Sequence, residues 1–365
     1  MLKSAVKRVL DSVRVGGKPV LTDFLRNALR GIRASRRRAQ GSKTRARMLA
    51  IVAERPLDIN IESSNYCAAS CVFCPNSKVK RKKTTMDMDL FRKVVDDYVA
   101  IGGGAMGICS MQSDVFSDDL LVERVAYLER YDGKLYVYST TNLIGASKLS
   151  DDDLERVLRR LDLLQISLGG TNKADYRQMY GINAFDVVKA QLKRVAGIVR
   201  AKGLKVKLGL YFRTAHAAGV AGSDLVKELG DDFAILENRD AFFSWGGIIG
   251  AQDLPEGAKL LTVDNRNARV DCAVSSASLS VSVDGSVVGC GCVDWNSQHV
   301  VGNVSDHTIT EVWTSKPFAD FRAAFSSGHI PDLCKDCSLY SPIDDAFAQP
   351  ALDHYTVTDG LYYLQ

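Results

Sequence analysis

From Arg55 onward the apolar positions switch repeatedly between a two-residue and a helical rhythm. Leu57, Ile59 and Ile61 alternate with polar neighbours, which predicts a first strand. Met88–Ile101 follows the helical period, and Ala105–Gln112 reads as a second strand. The order then continues as helix Asp118–Arg130, strand Lys134–Thr140, helix Ser150–Arg159 capped by Ser150, and strand Leu163–Leu168. A helical pattern to Ala201, strand Lys205–Phe212, helix Gly222–Leu229 and strand Phe233–Leu236 complete the series. About six β/α units in succession predict an α/β fold with a parallel sheet, either open or curled into a partial barrel. Chemistry in such folds gathers at the C-terminal ends of the strands.

The flanks differ. After about residue 265, SLSVSVDGSVVGCGC reads as a hairpin around Asp284-Gly285, a type I′ turn signal. A helix over Thr310–Ser326 and the pair Cys334-Lys-Asp-Cys337 follow. The expected organisation is a basic helical extension over 1–54, the main domain over 55–265, a small cysteine-bearing α+β domain over 266–345, and a tail over 346–365. The first 50 residues hold 14 Lys and Arg against two acidic residues, whereas the rest carries an acidic excess of eight. Leu2–Val15 reads as one short helix. Thr22 or Asp23 can cap a second, with Phe24, Leu25, Ala28, Leu29 and Ile32 on one face and Arg26, Arg30, Arg33 and Arg36–Arg38 elsewhere. Such a helix suits an anionic lipid, a lipid-linked substrate or an acidic partner, and equally a solvated helix packed on the main domain.

No apolar run among the 365 residues reaches the roughly 18 of a membrane span, and nothing reads as a secretory signal peptide. The expected compartment is the cytoplasm, where thiols stay reduced, so nine cysteines point to metal rather than disulfides. Five histidines form no ligand-like cluster. Gly102–Gly104 precede the second strand and lack the pattern of a phosphate loop.

CAASCVFCPNS carries Cys67, Cys71 and Cys74 on the loop after the first strand, a C-x3-C-x2-C spacing. A structural zinc takes four protein ligands. A [4Fe–4S] cluster held by three thiolates leaves one iron open, and that iron can chelate S-adenosylmethionine (SAM). Zinc or plain buried thiols remain the alternatives. With these cysteines as its starting point, the chain from about Leu57 to Cys337 resembles the radical SAM superfamily, in which a partial (β/α)6 barrel holds the cluster and SAM yields a 5′-deoxyadenosyl radical. The resemblance places Phe73 near the adenine, Thr141-Asn142 in the segment after strand three, Ser167 of Ile166-Ser167-Leu168 beside SAM, and Arg213 on its carboxylate. Where the family usually carries Gly-Gly-Glu-Pro, this chain reads Gln112-Ser113-Asp114-Val115, leaving Asp114 as acceptor for the SAM ammonium.

Cys272, Cys290, Cys334 and Cys337 supply four further thiolates, enough for a closed second [4Fe–4S] cluster or for a zinc tetrahedron. Cys272…Gly285-Ser-Val-Val-Gly-Cys290, Gly302-Asn303-Val304, Glu311-Val312-Trp313 and Cys334-x2-Cys337 resemble the SPASM and Twitch auxiliary-cluster domains. With no cysteine after Cys337, the match is to the shorter Twitch form. Cys74-Pro75-Asn76-Ser77, Lys80-Arg81-Lys82 and Met86-Asp87 resemble the Twitch enzymes of aminoglycoside biosynthesis, which oxidise or epimerise aminocyclitols and amino sugars. That implies hydrogen abstraction from a small sugar-like substrate, with an electron donor of the flavodoxin or ferredoxin kind. Epimerisation needs a thiol to return hydrogen, for which Cys109 or Cys292 is a candidate. Glu237 and Arg239 are read as rim residues after strand six, and Phe243-Ser-Trp245-Gly-Gly as closing the barrel mouth or as linker packing. Other readings are a radical SAM maturase modifying a peptide, and a non-catalytic iron–sulfur or zinc protein.

Overall fold

The computed structural model describes residues 46–109, 112–261 and 271–343; the predicted head helices and the C-terminal tail lie outside these residues. Six strands follow the expected order: β1 Asp58–Ile61, β2 Gly104–Ile108, β3 Leu135–Thr141, β4 Leu163–Leu168, β5 Lys207–Arg213 and β6 Ala234–Arg239. All neighbouring pairs among them run parallel. β1 to β4 are almost wholly buried, as strands covered on both faces must be. Helices on the outer face supply Phe91, Val94, Val95 and Tyr98 from Met88–Ala100, and Leu154, Val157 and Leu158 from Asp151–Arg160. Ser150 caps the latter as expected, its Oγ accepting from Asp153 N at 3.1 Å.

The long helical pattern after β4 is two helices, Lys173–Tyr180 and Phe185–Lys202. The break falls at Gly181, whose φ of +70° ends the first helix. A Cβ there would come within 2.7 Å of Ser70 O, so only glycine lets the cysteine loop lie this close.

The C-terminal segment does not stand apart. β9 Ser278–Val281 lies parallel to β1, and β10 Ser286–Val288 and β11 Val300–Asn303 continue antiparallel beyond it. Among the described residues the result is one nine-stranded sheet in the order β11-β10-β9-β1-β2-β3-β4-β5-β6. A short pair, β7 Ala241–Phe242 with β8 Lys259–Leu260, lies outside it. The hairpin turn is not type I′, because Gly285 has positive φ (+82°) and Asp284 does not. Ser282 N donates to Ser286 O at 2.8 Å and Gly285 N to Ser282 O at 2.9 Å, the pattern of a three-residue loop ending in a left-handed glycine. No helix among the described residues is long and apolar enough to cross a membrane.

Inside the sheet's curvature, the Asp58 carboxylate accepts from Asn60 Nδ2 (2.8 Å), Ser278 Oγ (2.9 Å) and the Tyr138 hydroxyl (3.1 Å). It thereby ties β1, β3 and β9 together. Burial raises its pKa from 3.8 to about 6 despite these donors. The folded state therefore keeps a proton that the unfolded chain releases from about pH 4 upward, and stability from this site falls as pH rises to about 6. Urea unfolding at pH 5 and pH 7.5 should show Asp58→Asn gaining on the native protein by about 1–1.5 kcal/mol at the higher pH. An identical pH dependence in both proteins would contradict this.

Candidate active site

The loop after β1 is pinned from three sides. Ser70 N and Val72 N donate to Tyr180 O (3.1 Å) and Met179 O (3.0 Å), the end of helix Lys173–Tyr180. At its base Asn65 pairs with the returning chain through Lys82 O (2.9 Å) and Thr84 N (2.7 Å). Beneath it, Asp118 and Arg124 form a fully buried ion pair at 2.8 Å. Asp118 accepts from Ser63 Oγ at 2.5 Å, and Arg124 donates to Met86 O and Ser63 O. A buried pair persists when its remaining donors and acceptors are satisfied, as here, and this one fixes the exit of β1.

Cys67, Cys71 and Cys74 line a cavity of ≈ 190 Å³ at the C-terminal ends of the strands. Phe73 packs between them, stacked on Phe242 with centroids 4.9 Å apart and edge-on to Tyr180 at 5.8 Å. Asn142 Nδ2 lies 3.4 Å from Cys67 Sγ, and Ser167 Oγ accepts from the Tyr180 hydroxyl at 2.6 Å. The Arg213 guanidinium faces Glu237 at 3.4 Å, and its charge acts on Cys71 and Cys74. Burial pushes Cys67 up to about 12 and Cys74 to about 11, so thiolates form here only if a cationic group replaces their protons.

Across the cavity stand Cys292 and Trp295, from the segment that follows β10. Trp295 Nε1 donates to Cys292 O (2.9 Å), Trp245 meets Trp295 edge-on at 5.6 Å, and Trp245 Nε1 donates to Phe73 O (2.9 Å). This aromatic bridge joins the two cysteine-bearing halves. Arg81 holds them polarly, with Nη1 on Glu62 (2.8 Å), Nη2 on Gln112 Oε1 (2.8 Å) and Nε on Trp295 O (2.9 Å). Behind Cys292 lie the buried Cys272, Cys290 and Cys337, which all push the Cys292 thiol up, and Cys334 sits on the same turn as Cys337. A hydrogen bond from Cys292 holds Cys290 below the usual thiol range.

Residues 272–338 match the SPASM family, an iron–sulfur cluster-binding domain. The S-adenosyl-L-methionine-dependent 2-deoxy-scyllo-inosamine dehydrogenase of Niallia circulans is 25% identical over 290 residues, covering 78% of this chain and 93% of that enzyme. The PqqA peptide cyclase of Gluconobacter oxydans is 22% identical over 313 residues, covering 77% and 82%. Among solved structures, BtrN in complex with AdoMet and 2-DOIA matches with a TM-score of 0.51 at 20% identity, over 77% of this chain and 92% of that one. Streptococcus suis SuiB bound to precursor peptide SuiA matches with a TM-score of 0.55 at 13% identity, over 80% and 73%. The chain carries a SPASM domain on a radical SAM fold.

On that fold, the structure gathers Cys67, Cys71, Cys74, Phe73, Asp114, Asn142, Ser167, Arg213 and Cys292 around one cavity. Two expectations shift. Asp114 is buried, and its oxygens already accept from Thr141 Oγ1 (2.9 Å), Asn142 N (2.6 Å) and Phe116 N (3.0 Å), so it braces the end of β3. Cys109 lies outside this cavity. The chain turns left-handed at Cys109 (φ +48°), ending β2 early and aiming the thiol at Ser63 Oγ (3.1 Å) beside a separate small pocket. A substrate in the main cavity does not meet it.

Sequence reasoning missed Thr140, Gln165 and Tyr211, which also line the cavity. Thr140 Oγ1 donates to Gln165 Oε1, and Gln165 Nε2 donates to the Tyr211 hydroxyl at 3.0 Å. Polar residues near the C-terminal ends of three consecutive strands were the available signal.

The donors fit the iron–sulfur groups. All are soft thiols, and among the described residues no three His, Cys, Asp or Glu side chains converge on one ion-sized point. A single zinc, with Zn–S of about 2.3 Å, would bring its thiolates to about 3.8 Å from one another; a cubane spreads them wider. Anaerobic reconstitution should therefore give about eight irons and eight sulfides per chain, falling to about four of each in Cys272→Ala and in Cys71→Ala. Stoichiometric zinc, or no loss in Cys272→Ala, would contradict the assignment.

Proposed function

We propose that the protein is a radical SAM oxidoreductase that removes hydrogen from a small, sugar-like substrate and oxidises or epimerises it. The observation that carries this reading is that the three-cysteine loop and the SPASM domain's Cys292 open onto the same cavity. When bound, SAM and its cluster supply a 5′-deoxyadenosyl radical, with electrons delivered by a flavodoxin- or ferredoxin-like donor.

The chain's own residues do the rest. Cys67, Cys71 and Cys74 hold the first cluster, and Asn142 donates towards the Cys67 sulfur. Arg213 offers a guanidinium fork to the SAM carboxylate. The linked Thr140, Gln165 and Tyr211 present hydroxyl and amide groups suited to a polyhydroxylated ring. Trp245 and Trp295 cover the cavity and exclude water from a radical. Cys272, Cys290, Cys334 and Cys337 hold the second cluster, and the Cys292 thiol, which lines the cavity, returns hydrogen to the substrate in the epimerising case. The named dehydrogenase relative acts in its own right on 2-deoxy-scyllo-inosamine, which supports a sugar-like substrate class here. The peptide cyclase relative keeps a peptide as the alternative.

Reduced, reconstituted protein with SAM should form 5′-deoxyadenosine, faster with an aminocyclitol or amino sugar than with a peptide. No 5′-deoxyadenosine would refute enzymatic function, and acceleration by peptide alone would favour the maturase. Cys292→Ala should keep its iron and its SAM cleavage yet lose solvent deuterium from the product carbon. Loss of about four irons would instead make Cys292 a ligand.

A further inference from the structure

The stretch that leaves the three-cysteine loop, Lys78-Val79-Lys80-Arg81-Lys82-Lys83, puts five cations in six residues, on a chain whose residues beyond 50 carry an acidic excess of eight. Two of the five meet carboxylates: Lys78 pairs with Asp253 at 2.7 Å, and Arg81 with Glu62. Among the described residues no carboxylate lies in salt-bridge contact with Lys80, Lys82 or Lys83. The main chain holds the stretch in place. Lys80 N donates to Asn296 Oδ1 at 3.0 Å, Lys82 O accepts from Asn65 Nδ2 at 2.9 Å, and Lys80 and Lys82 themselves are exposed.

An aromatic ring lies beside them. Tyr66, 45% exposed, directly precedes Cys67, and its hydroxyl donates to Lys83 O at 3.2 Å. The Lys83 ammonium donates to Asn65 O (2.8 Å) and Asn76 Oδ1 (2.7 Å), and its charge acts on the thiols of Cys67 and Cys74. Tyr66, Lys80, Lys82 and Lys83 stand outside the lining of the cavity. The three-cysteine loop thus has two sides, one with thiols opening on the cavity and an outer one that is cationic and bears an exposed ring.

We propose that this outer side docks an acidic carrier protein that delivers single electrons to the first cluster. Electron transfer weakens steeply with distance, so a carrier must seat where the cysteine loop reaches the surface. Cations steer an acidic partner into place, and an exposed tyrosine gives it an apolar contact. One electron leaves the carrier's flavin or iron–sulfur centre and reduces the oxidised cluster, and no proton moves. The inference deepens the proposed function by naming where its electron donor binds, and it rests on the first cluster being held by the three cysteines.

Reduction kinetics test it apart from turnover. Anaerobically reconstituted holoprotein is mixed in a stopped-flow instrument with a reduced acidic flavodoxin, a reduced plant-type ferredoxin or dithionite, and the loss of iron–sulfur absorbance is followed. At least one carrier should reduce the native protein at a rate that falls as salt rises. The double variant Lys80→Glu, Lys82→Glu should slow that carrier at least about tenfold at low salt and flatten the salt dependence, with iron content and the dithionite rate unchanged. Lys205→Glu with Lys207→Glu makes the same charge change on exposed residues at the opposite end of β5 from Arg213 and should leave the carrier's rate as it was. The proposal is overturned if neither carrier reduces the native protein, or if the Lys80 and Lys82 reversals leave the carrier's rate intact. Binding of duplex RNA or phosphatidylglycerol vesicles through those lysines would then name the occupant. It is equally overturned if the Lys205 and Lys207 reversals slow the carrier as much, or if dithionite slows in proportion. Should a carrier behave as described while no 5′-deoxyadenosine forms with SAM, the enzymatic reading fails and the docking face stands. Should 5′-deoxyadenosine form under dithionite while the carriers ignore both lysines, the docking face fails and the enzymatic reading stands.

Discussion

The arrangement depends on β1 being hydrogen-bonded on both edges, to β2 on one side and to β9 on the other. Asp58 lies opposite Ala105 and Ser278 at once, and Ile61 opposite Ile108 and Val281. One strand thus carries the three-cysteine loop at its end and fixes the SPASM hairpin along its side. Backbone pairing with defined register leaves little freedom between the two, since a slip of one residue would reverse every inward side chain. Cys292, four residues beyond β10, inherits its place across the cavity from that register. The Arg81 contacts and the Trp245–Trp295 contact then close the seam that the sheet has already aligned.

Burial of ionisable groups is the second theme, and its two outcomes differ. Asp118 and Arg124 neutralise each other beneath the loop and do nothing but hold it. The thiols at the cavity wall have no such partner among the described residues close enough to make them anionic, and burial drives their pKa values upward. Iron in place of the protons resolves that conflict, so metal loading and ordering of the loop should be linked. Elsewhere on the cavity wall Arg239 and Glu237 touch each other, and each keeps one buried polar atom without a hydrogen-bond partner.

Much of this could be read from the sequence because its causes are local. β4 was placed at Leu163–Leu168 by its apolar run, Ser150 by its capping chemistry, and the three-cysteine loop by its position after the first strand. What escaped was set by distant parts of the chain. The parallel pairing of β9 with β1 joins residues some 220 positions apart, and nothing in SLSV announces a partner. Asp284-Gly285 was misread because a glycine alone can take the positive φ while the aspartate stays in the ordinary region. Cys109 looked available on a strand facing the barrel, until a left-handed backbone turned it away. Glu237 and Arg239 looked like rim residues because only the register of β5 against β6 brings them beside Arg213 on the cavity wall.

The central claim is that three protein sulfurs leave one iron of the first cluster open towards the cavity. Electron paramagnetic resonance of the reduced, reconstituted protein, recorded before and after addition of SAM, tests it most directly. The account predicts that the g-values of one of two cluster signals shift on addition, while the other stays fixed. Two signals that both ignore SAM would contradict it.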